Sequence, residues 1–431
     1  MVHFSIDVSI DDSSSWSDPQ RLMLKAGDAI FTRLIRSDTD SPDNFLQAPP
    51  IQLAFWIVDN WWRLRFEPVL SRRVTAEWRL SHELSAIGGG YIWPRLRIWG
   101  EGSRVGLSSR SDPSALTRPV RYITDALVFV SAAQFEDATF QFLEQAIEAC
   151  SDDHDALRSQ FDALQEERAD EDIASWRRLE AQLGFDVDEA PEALVGILLD
   201  YIKRYGQNGV EEAVVAIQGY EAADTLKDEI AAAEQSRLTC DLRAAVKAAG
   251  TVHRGPEVPP WTAAEKAAVQ LRRELTTHAG PLRNTRLAEL LGVSKEVFRS
   301  RGTTAQSLRF GIRLKTAGRE TNAIALRARW AHDRRFELCR ALGDAIWSES
   351  DALGPITSTK TARQKFQRAF AQSLLCPFED LRAYMNTEDP TEEDISAAAH
   401  HFHVAERVIQ TVLVNKHIIE RQDFEDMIEA A

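Results

Sequence analysis

Residues 334–347 read RRFELCRALGDAIW. The run has the texture of a helix, in which Arg340 and Asp344 stand four residues apart, one turn along the same face. Just upstream, FGIRLKTAGRETNAIALRARW (310–330) reads as a hairpin, two apolar alternating arms around Ala317-Gly318. Further upstream, TAAEKAAVQLRREL is an amphipathic helix. NTRLAELLGVSKEVFRSR (284–301) has a helix–turn–helix look, with Gly292 at the turn and Ser294 as the next N-cap. Downstream, TARQKFQRAFAQSLLCP (361–377) reads as a second helix ended by Pro377. The tail, EEDISAAAHHFHVAERVIQTVLVNKHII, carries two further helices with a turn near His403.

The 431 residues, 44% hydrophobic and 27% charged, supply ample core and suggest two to four domains. No apolar run is long enough for a membrane helix. MVHFSIDVSIDD lacks the basic start and apolar stretch of a secretory signal. Cys150, Cys240, Cys339 and Cys376 are scattered singly, with no CxxC pair. They fit a reducing cytosol, and a cytoplasmic location is expected, with each thiol acting as a small buried hydrophobe. The net charge of −15 is uneven. Residues 151–235 hold 22 acids against 7 bases, whereas 251–382 hold 23 bases against 13 acids. This is either a solvated acidic face paired with other segments, or a charged docking surface.

Residues 1–150 read as a β-rich domain. HFSIDVSI, AIFTRLIRS, IQLAFWIVDNWWRLRFEPVL, TAEWRLSHEL and PRLRIWGEGSRVGLSS all carry β-branched, aromatic or alternating character. AIGGGYIWP (86–94) is a loop, and its Gly88-Gly89-Gly90 run lacks the Lys-Ser/Thr of a phosphate-binding loop. FEDATFQFLEQAIEAC closes the region as a helix. Trp61-Trp62, with Arg63 and Arg65, reads either as core aromatics in a sheet or as a stacking platform for bases or a peptide. Residues 151–250 read as an acidic helical domain or linker, with ALVGILLDYIKRYG capped by Gly206. TVHRGPEVPPW (251–261), with three prolines, marks a domain boundary before 262–431. The expected class is therefore α+β.

The order of helix, hairpin, RRF helix, FA-x-x-LL-x-P helix and F-x-V tail resembles the ImmA/IrrE family of metallopeptidases. The likeness covers roughly 262–420. The family's first key helix looks like RRFTLAHELGH, matched here at Arg334, Arg335, Phe336, Leu338, Leu342 and Gly343. Its second is matched at Phe370, Ala371, Leu374, Leu375 and Pro377, and its tail turn at Phe402-His403-Val404-Ala405. The resemblance implies a zincin-like C-terminal domain: helical, with a small β-hairpin or sheet. It also implies a setting in bacterial stress, mobile-element or phage-defence regulation.

The family's zinc chemistry does not carry over. Two imidazoles one helical turn apart grip the ion, and the Glu between them serves as general base. Here the first ligand position is Arg340, which offers no lone pair. The base position is Ala341. The second ligand position is Asp344, and the third, a family Glu, aligns with Gln364. Four changes at four functional positions read as a degenerate site with no metal and no cofactor. An Arg340–Asp344 salt bridge, joined by Gln364, is expected to fill the former metal pocket. Glu337 is expected to face away from Arg340. His400, His401, His403 and His417 read as turn or surface histidines. No GxSxG elbow, Ser-His-Asp set or dinucleotide fingerprint is present.

The expected function is that of a non-catalytic pseudo-metallopeptidase acting through a protein partner. The alternative is a DNA- or RNA-binding regulator whose surface gathers Arg327, Arg329, Arg334, Arg335, Arg363, Lys365 and Arg368. A sequence pI near 5.2 weighs against strong non-specific nucleic-acid binding. An active peptidase with an unusual metal site would need Asp344, Gln364 and a distant His to converge.

Overall fold

A helix, α1 (Pro50–Phe66), runs through the N-terminal region where the sequence reads as a strand. Pro50 sits in its first turn, where a missing N–H costs nothing, and Arg63 and Arg65 meet the negative end of the helix dipole. Eleven of its 17 residues are buried. Being buried on most sides erases the 3.6-residue period, and its β-branched and aromatic content then imitates a strand. Its length is the signal against that reading, because 17 residues exceed an ordinary strand. The alternation in TAEWRLSHEL misleads in the same way: it forms α2 (Ala76–His82), capped by Thr75.

In this computed structural model the described residues are 2–9, 15–37, 41–69, 74–111, 119–149, 155–255, 258–275, 280–298, 308–315, 320–348, 350–387 and 389–419. The chain is mixed α+β and divides into two compact units, Met1–Val195 and Gly196–Phe424. The division falls within the helix Glu192–Tyr205, and the proline-rich 251–261 stretch lies inside the second unit.

Among its described residues the first unit holds ten short strands: β1 (Phe4–Ser9), β2 (Gln20–Ala26), β3 (Ala29–Ile30), β4 (Leu34–Arg36), β5 (Pro42–Asp43), β6 (Leu46–Ala48), β7 (Arg97–Glu101), β8 (Arg104–Ser109), β9 (Val120–Tyr122) and β10 (Ala126–Ser131). They form three small antiparallel sheets: β1-β2-β3 with β6 on β2, β5-β4-β9, and β10-β8-β7. Helices α3 (Ala132–Ala149), α4 (Asp155–Ala169) and α5 (Glu171–Leu183) complete the unit. Trp61 and Trp62 are buried in its core and meet edge to face, ring centroids 4.9 Å apart. The Trp62 indole donates to Glu167 at 2.8 Å. A stacking platform for bases is thereby excluded, since neither ring is exposed. Gly88, Gly89 and Gly90 all take positive φ, as a loop of glycines permits.

The helix α6 (Glu192–Tyr205) ends at Gly206 (φ +94), the cap expected from sequence. The second unit then contains α7 (Gln207–Ile217), α8 (Ala222–Glu234), β11 (Thr239–Cys240), α9 (Arg243–Ala249), α10 (Pro260–Glu274) and α11 (Asn284–Leu291). After them come β12 (Gly311–Lys315), β13 (Asn322–Ala325), α12 (Ala331–Trp347), β14 (Leu353–Ile356) and α13 (Ala362–Leu375). The tail forms α14 (Phe378–Met385), α15 (Glu392–Phe402) and α16 (Glu406–Asn415), with His403 in the left-handed region between the last two. The expected hairpin forms, from Ile312↔Ala325 to Lys315↔Asn322, while its tip at Ala317-Gly318 lies outside the described residues. It belongs to a four-stranded antiparallel sheet, β11-β13-β12-β14. Helices α12 and α13 pack closely because position 343 is glycine: a Cβ there would lie 3.1 Å from the Phe370 ring and 3.3 Å from the Gln367 Cα. Among the described residues no helix is long and apolar enough to cross a membrane.

Candidate functional site

Asp344, on the inner face of α12, is fully buried. Its Oδ1 accepts from Arg363 Nε and from Gln367 Nε2, both at 2.7 Å. Its Oδ2 accepts from Arg313 Nε at 2.9 Å and Arg363 Nη2 at 3.0 Å. The carboxylate is thus clamped by one guanidinium from β12 and one from α13. Burial alone would raise its pKa, but Arg363 and Arg313 outweigh burial and hold it below the usual carboxylate range. Arg363 continues to Asp351 at 2.9 Å, and Arg313 to the Asn322 side chain at 3.0 Å. The edge strand β14 presses on this clamp at Gly354, where any Cβ would overlap Asp344 Oδ2.

The expected Arg340–Asp344 pair does not form. Asp344 has its lone pairs filled by better-placed donors, and the bidentate fork of Arg363 wins over a neighbour on the same helix. Arg340 turns instead to α13 and the chain after β14. Its Nη2 donates to Gln364 Oε1 at 2.5 Å, Thr357 O at 2.6 Å and Gln367 Oε1 at 3.2 Å. Gln367 therefore joins the two groups, its carbonyl toward the cation and its amide toward the carboxylate. Gln364 meets Arg340 but not Asp344, and its Nε2 donates to Pro355 O at 2.9 Å. Ala341 is packed in the core.

Two further carboxyl groups close the network. Glu212 on α7 accepts from Thr361 Oγ1 at 2.5 Å. Glu337 accepts from the Arg327 and Ala328 backbone N–H groups at 3.0 and 2.7 Å. Burial raises both carboxyls above their ordinary range. Burial pushes the Arg340 guanidinium down to about 9 and that of Arg368 to about 10, so both stay cationic at neutral pH. Arg313 and Arg363 thus pair with carboxylates, whereas Arg340 and Arg368 donate to amide and backbone carbonyl oxygens.

A cavity of about 550 Å³ adjoins the network, bounded by Trp330, Phe336 and Arg340 of the α12 region and by Phe310 and Ile356 near the strand ends. Glu337 lines it too, one helical turn from Arg340, so the expectation that it faces away is corrected. Trp330 is 54% exposed.

The residues expected to form a basic surface are dispersed. Arg335 is buried on the Asn284 side chain and Leu282 O, and Arg363 is buried on Asp344. Neither can meet a phosphate, because each is already committed to an internal acceptor. Arg368 is half-buried and donates to Thr359 O, and Arg334 is half-buried and donates to Val297 O. Lys365 is half-buried, and Arg327 and Arg329 are exposed. The helix–turn–helix-like segment gives α11, Gly292 as a left-handed cap and then a single 3-10 turn (Lys295–Phe298). The rest of its second half lies outside the described residues.

A zinc ion does not fit this site. The donor set at its centre is one carboxylate, already bound by two guanidinium groups, beside a third guanidinium. Among the described residues no group of three or more His, Cys, Asp or Glu converges as a metal would require. His401 is stacked on Tyr384. Cys240, Cys339 and Cys376 are buried and free, their thiols pushed up to about 12 by burial. Arg313, Gln367 and Asp351 escape sequence reasoning, as they come from separate elements. The one available signal is that Arg363 and Gln367 share a face of α13 by their i, i+4 spacing. Comparisons with protein-family models, curated proteins and solved structures return no match for this chain.

Proposed function

We propose that the second unit is a zincin-like domain related to ImmA/IrrE metallopeptidases, without their catalysis, and that it works by holding a segment of a protein partner. The observation that carries this reading is the clamp on Asp344. Arginine, glutamine and carboxylate side chains occupy the space between α12 and α13 where the related motif would hold zinc, and they fix the same helix pair by hydrogen bonds. The cavity beside Arg340, with its exposed Trp330 and apolar Phe336, supplies a place for a peptide. The regulatory setting, in bacterial stress, mobile-element or phage defence, rests on the resemblance alone.

Elemental analysis of protein purified without chelator tests the first half. The expected result is no stoichiometric metal and a thermal unfolding midpoint unmoved by chelator. One zinc per chain, lost in Asp344→Ala, would return the chain to peptidase chemistry. The second half is tested at Trp330: Trp330→Asp should release a partner that co-purifies with the unaltered chain while leaving the unfolding midpoint in place.

A further inference from the structure

One side of the first sheet is open. β1 pairs with β2 along its whole length, and among the described residues no strand pairs with its other edge. The register identifies the backbone groups left over. Gly27 N donates to His3 O at 2.9 Å, so that pair is hydrogen-bonded, and alternation turns Ser5 and Asp7 toward β2 as well. Phe4, Ile6 and Val8 then direct N–H and C=O outward. The partner strand agrees: Leu24, opposite Ile6, turns away from β1, its N–H to Thr32 Oγ1 and its C=O to Phe31 N.

This edge runs beside α3, and the two bound a groove of about 490 Å³ lined by residues 3–8 and by Gln134, Asp137, Gln141 and Gln145. The helical residues recur at steps of three and four and form one face. Phe4 stacked on Phe135 ties strand to helix at 5.7 Å. Gln134 Oε1 is buried without a hydrogen-bond partner, an acceptor that an occupant could satisfy. Asp7 and Asp137 line the groove, and no Lys or Arg does; Asp7 is paired with Lys25 of β2 at 3.2 Å, which leaves Asp137 as the carboxylate for an occupant. Along α3 there are four acidic residues and no basic one.

We propose that this groove binds an extended, lysine- or arginine-bearing peptide segment, which adds a strand to β1. The outward groups of Phe4, Ile6 and Val8 hydrogen-bond its backbone, the glutamine face of α3 contacts it from the side, and Asp137 selects its cationic side chains. The inference is independent of how α12 is read.

Fluorescence anisotropy with the full chain tests it, using labelled Lys-Thr-Val-Lys-Val-Thr-Lys. Controls are the same peptide N-methylated at alternate residues and a Glu-for-Lys version. N-methylation keeps the charge and removes the backbone donors. The expected result is saturable binding, weakened about tenfold or more by N-methylation and by Asp137→Lys, with the Glu version not binding. Val8→Pro should weaken binding similarly, since proline at an edge position removes one outward N–H without costing the fold. Binding indifferent to N-methylation, or equal for the Glu version, overturns the proposal, as does no binding at millimolar peptide. So does a dimer in sedimentation that Val8→Pro converts to monomer, because a second copy would then own the edge.

Discussion

Each unit buries an ionic network, and the two are built differently. In the first, Arg63 and Glu67 stand one turn apart at the end of α1 and pair at 2.6 Å. His82 on α2 stacks on Trp78, with Nε2 3.0 Å from Glu67 Oε2 and Nδ1 2.6 Å from Ile98 O. Both ring nitrogens face oxygen atoms. This network has an outlet: Arg63 also reaches Asp186, whose side chain is 55% exposed. The clamp on Asp344 has no exposed charged member: Arg313, Arg363 and Asp351 around it are nearly as buried as Asp344 itself, and the half-buried Arg340 reaches it through Gln367. A network with an exposed member can exchange a lost partner for water. A sealed one cannot, and each missing group leaves a buried charge behind.

That contrast sets the order of effects. Asp344→Ala leaves Arg313 without a carboxylate in the core and Arg363 with Asp351 alone, and should cost roughly 3–5 kcal/mol, read as the urea midpoint of the transition that reports on the second unit. Glu67→Gln removes one charge from Arg63 and His82 but leaves Arg63 its exposed partner, so about 2 kcal/mol is expected by the same measurement on the first unit. An effect equal to that of Asp344→Ala would show the outlet to be irrelevant. Gly354→Ala pushes a methyl group into the Asp344–Arg313 contact and should cost about 1–3 kcal/mol by overpacking. Asp186→Ala, at the exposed end, should cost under about 1 kcal/mol.

Acid sharpens the comparison. The Glu67 pKa is lowered: burial would raise it, but His82 and Arg63 outweigh burial. The Asp344 pKa is lowered in the same sense by its arginines. For a depressed carboxyl the stabilisation is complete above the ordinary value, near 4.5 for Glu67 and 3.8 for Asp344, and is lost as pH falls through the folded value. Thermal midpoints should therefore drop below about pH 4.5, and less steeply in Glu67→Gln or Asp344→Ala than in the unaltered chain.

The two central helices also differ in how well sequence reveals them. α13 is legible because its Thr361 cap, the following Pro377 and its apolar spacing agree with its one-sided burial. α1 is not, because the elements around it bury most of its circumference and periodicity has no polar side to contrast with. The hairpin β12–β13 is legible by alternation, while β3 and β5, at two residues each, are too short to carry a period. At the site, sequence names Arg340, Asp344 and Gln364 but joins the first two wrongly. Spacing along one helix cannot report the arginines that the sheet and the second helix bring to the same carboxylate.

The sealed clamp also constrains descent. Since Asp344 is the buried carboxylate that Arg313 and Arg363 share, it cannot change alone without leaving the Arg313 guanidinium with no carboxylate. Tolerated substitutions must arrive in compensating sets, so among any relatives of this chain these three positions should vary together or not at all, while Asp186 drifts freely.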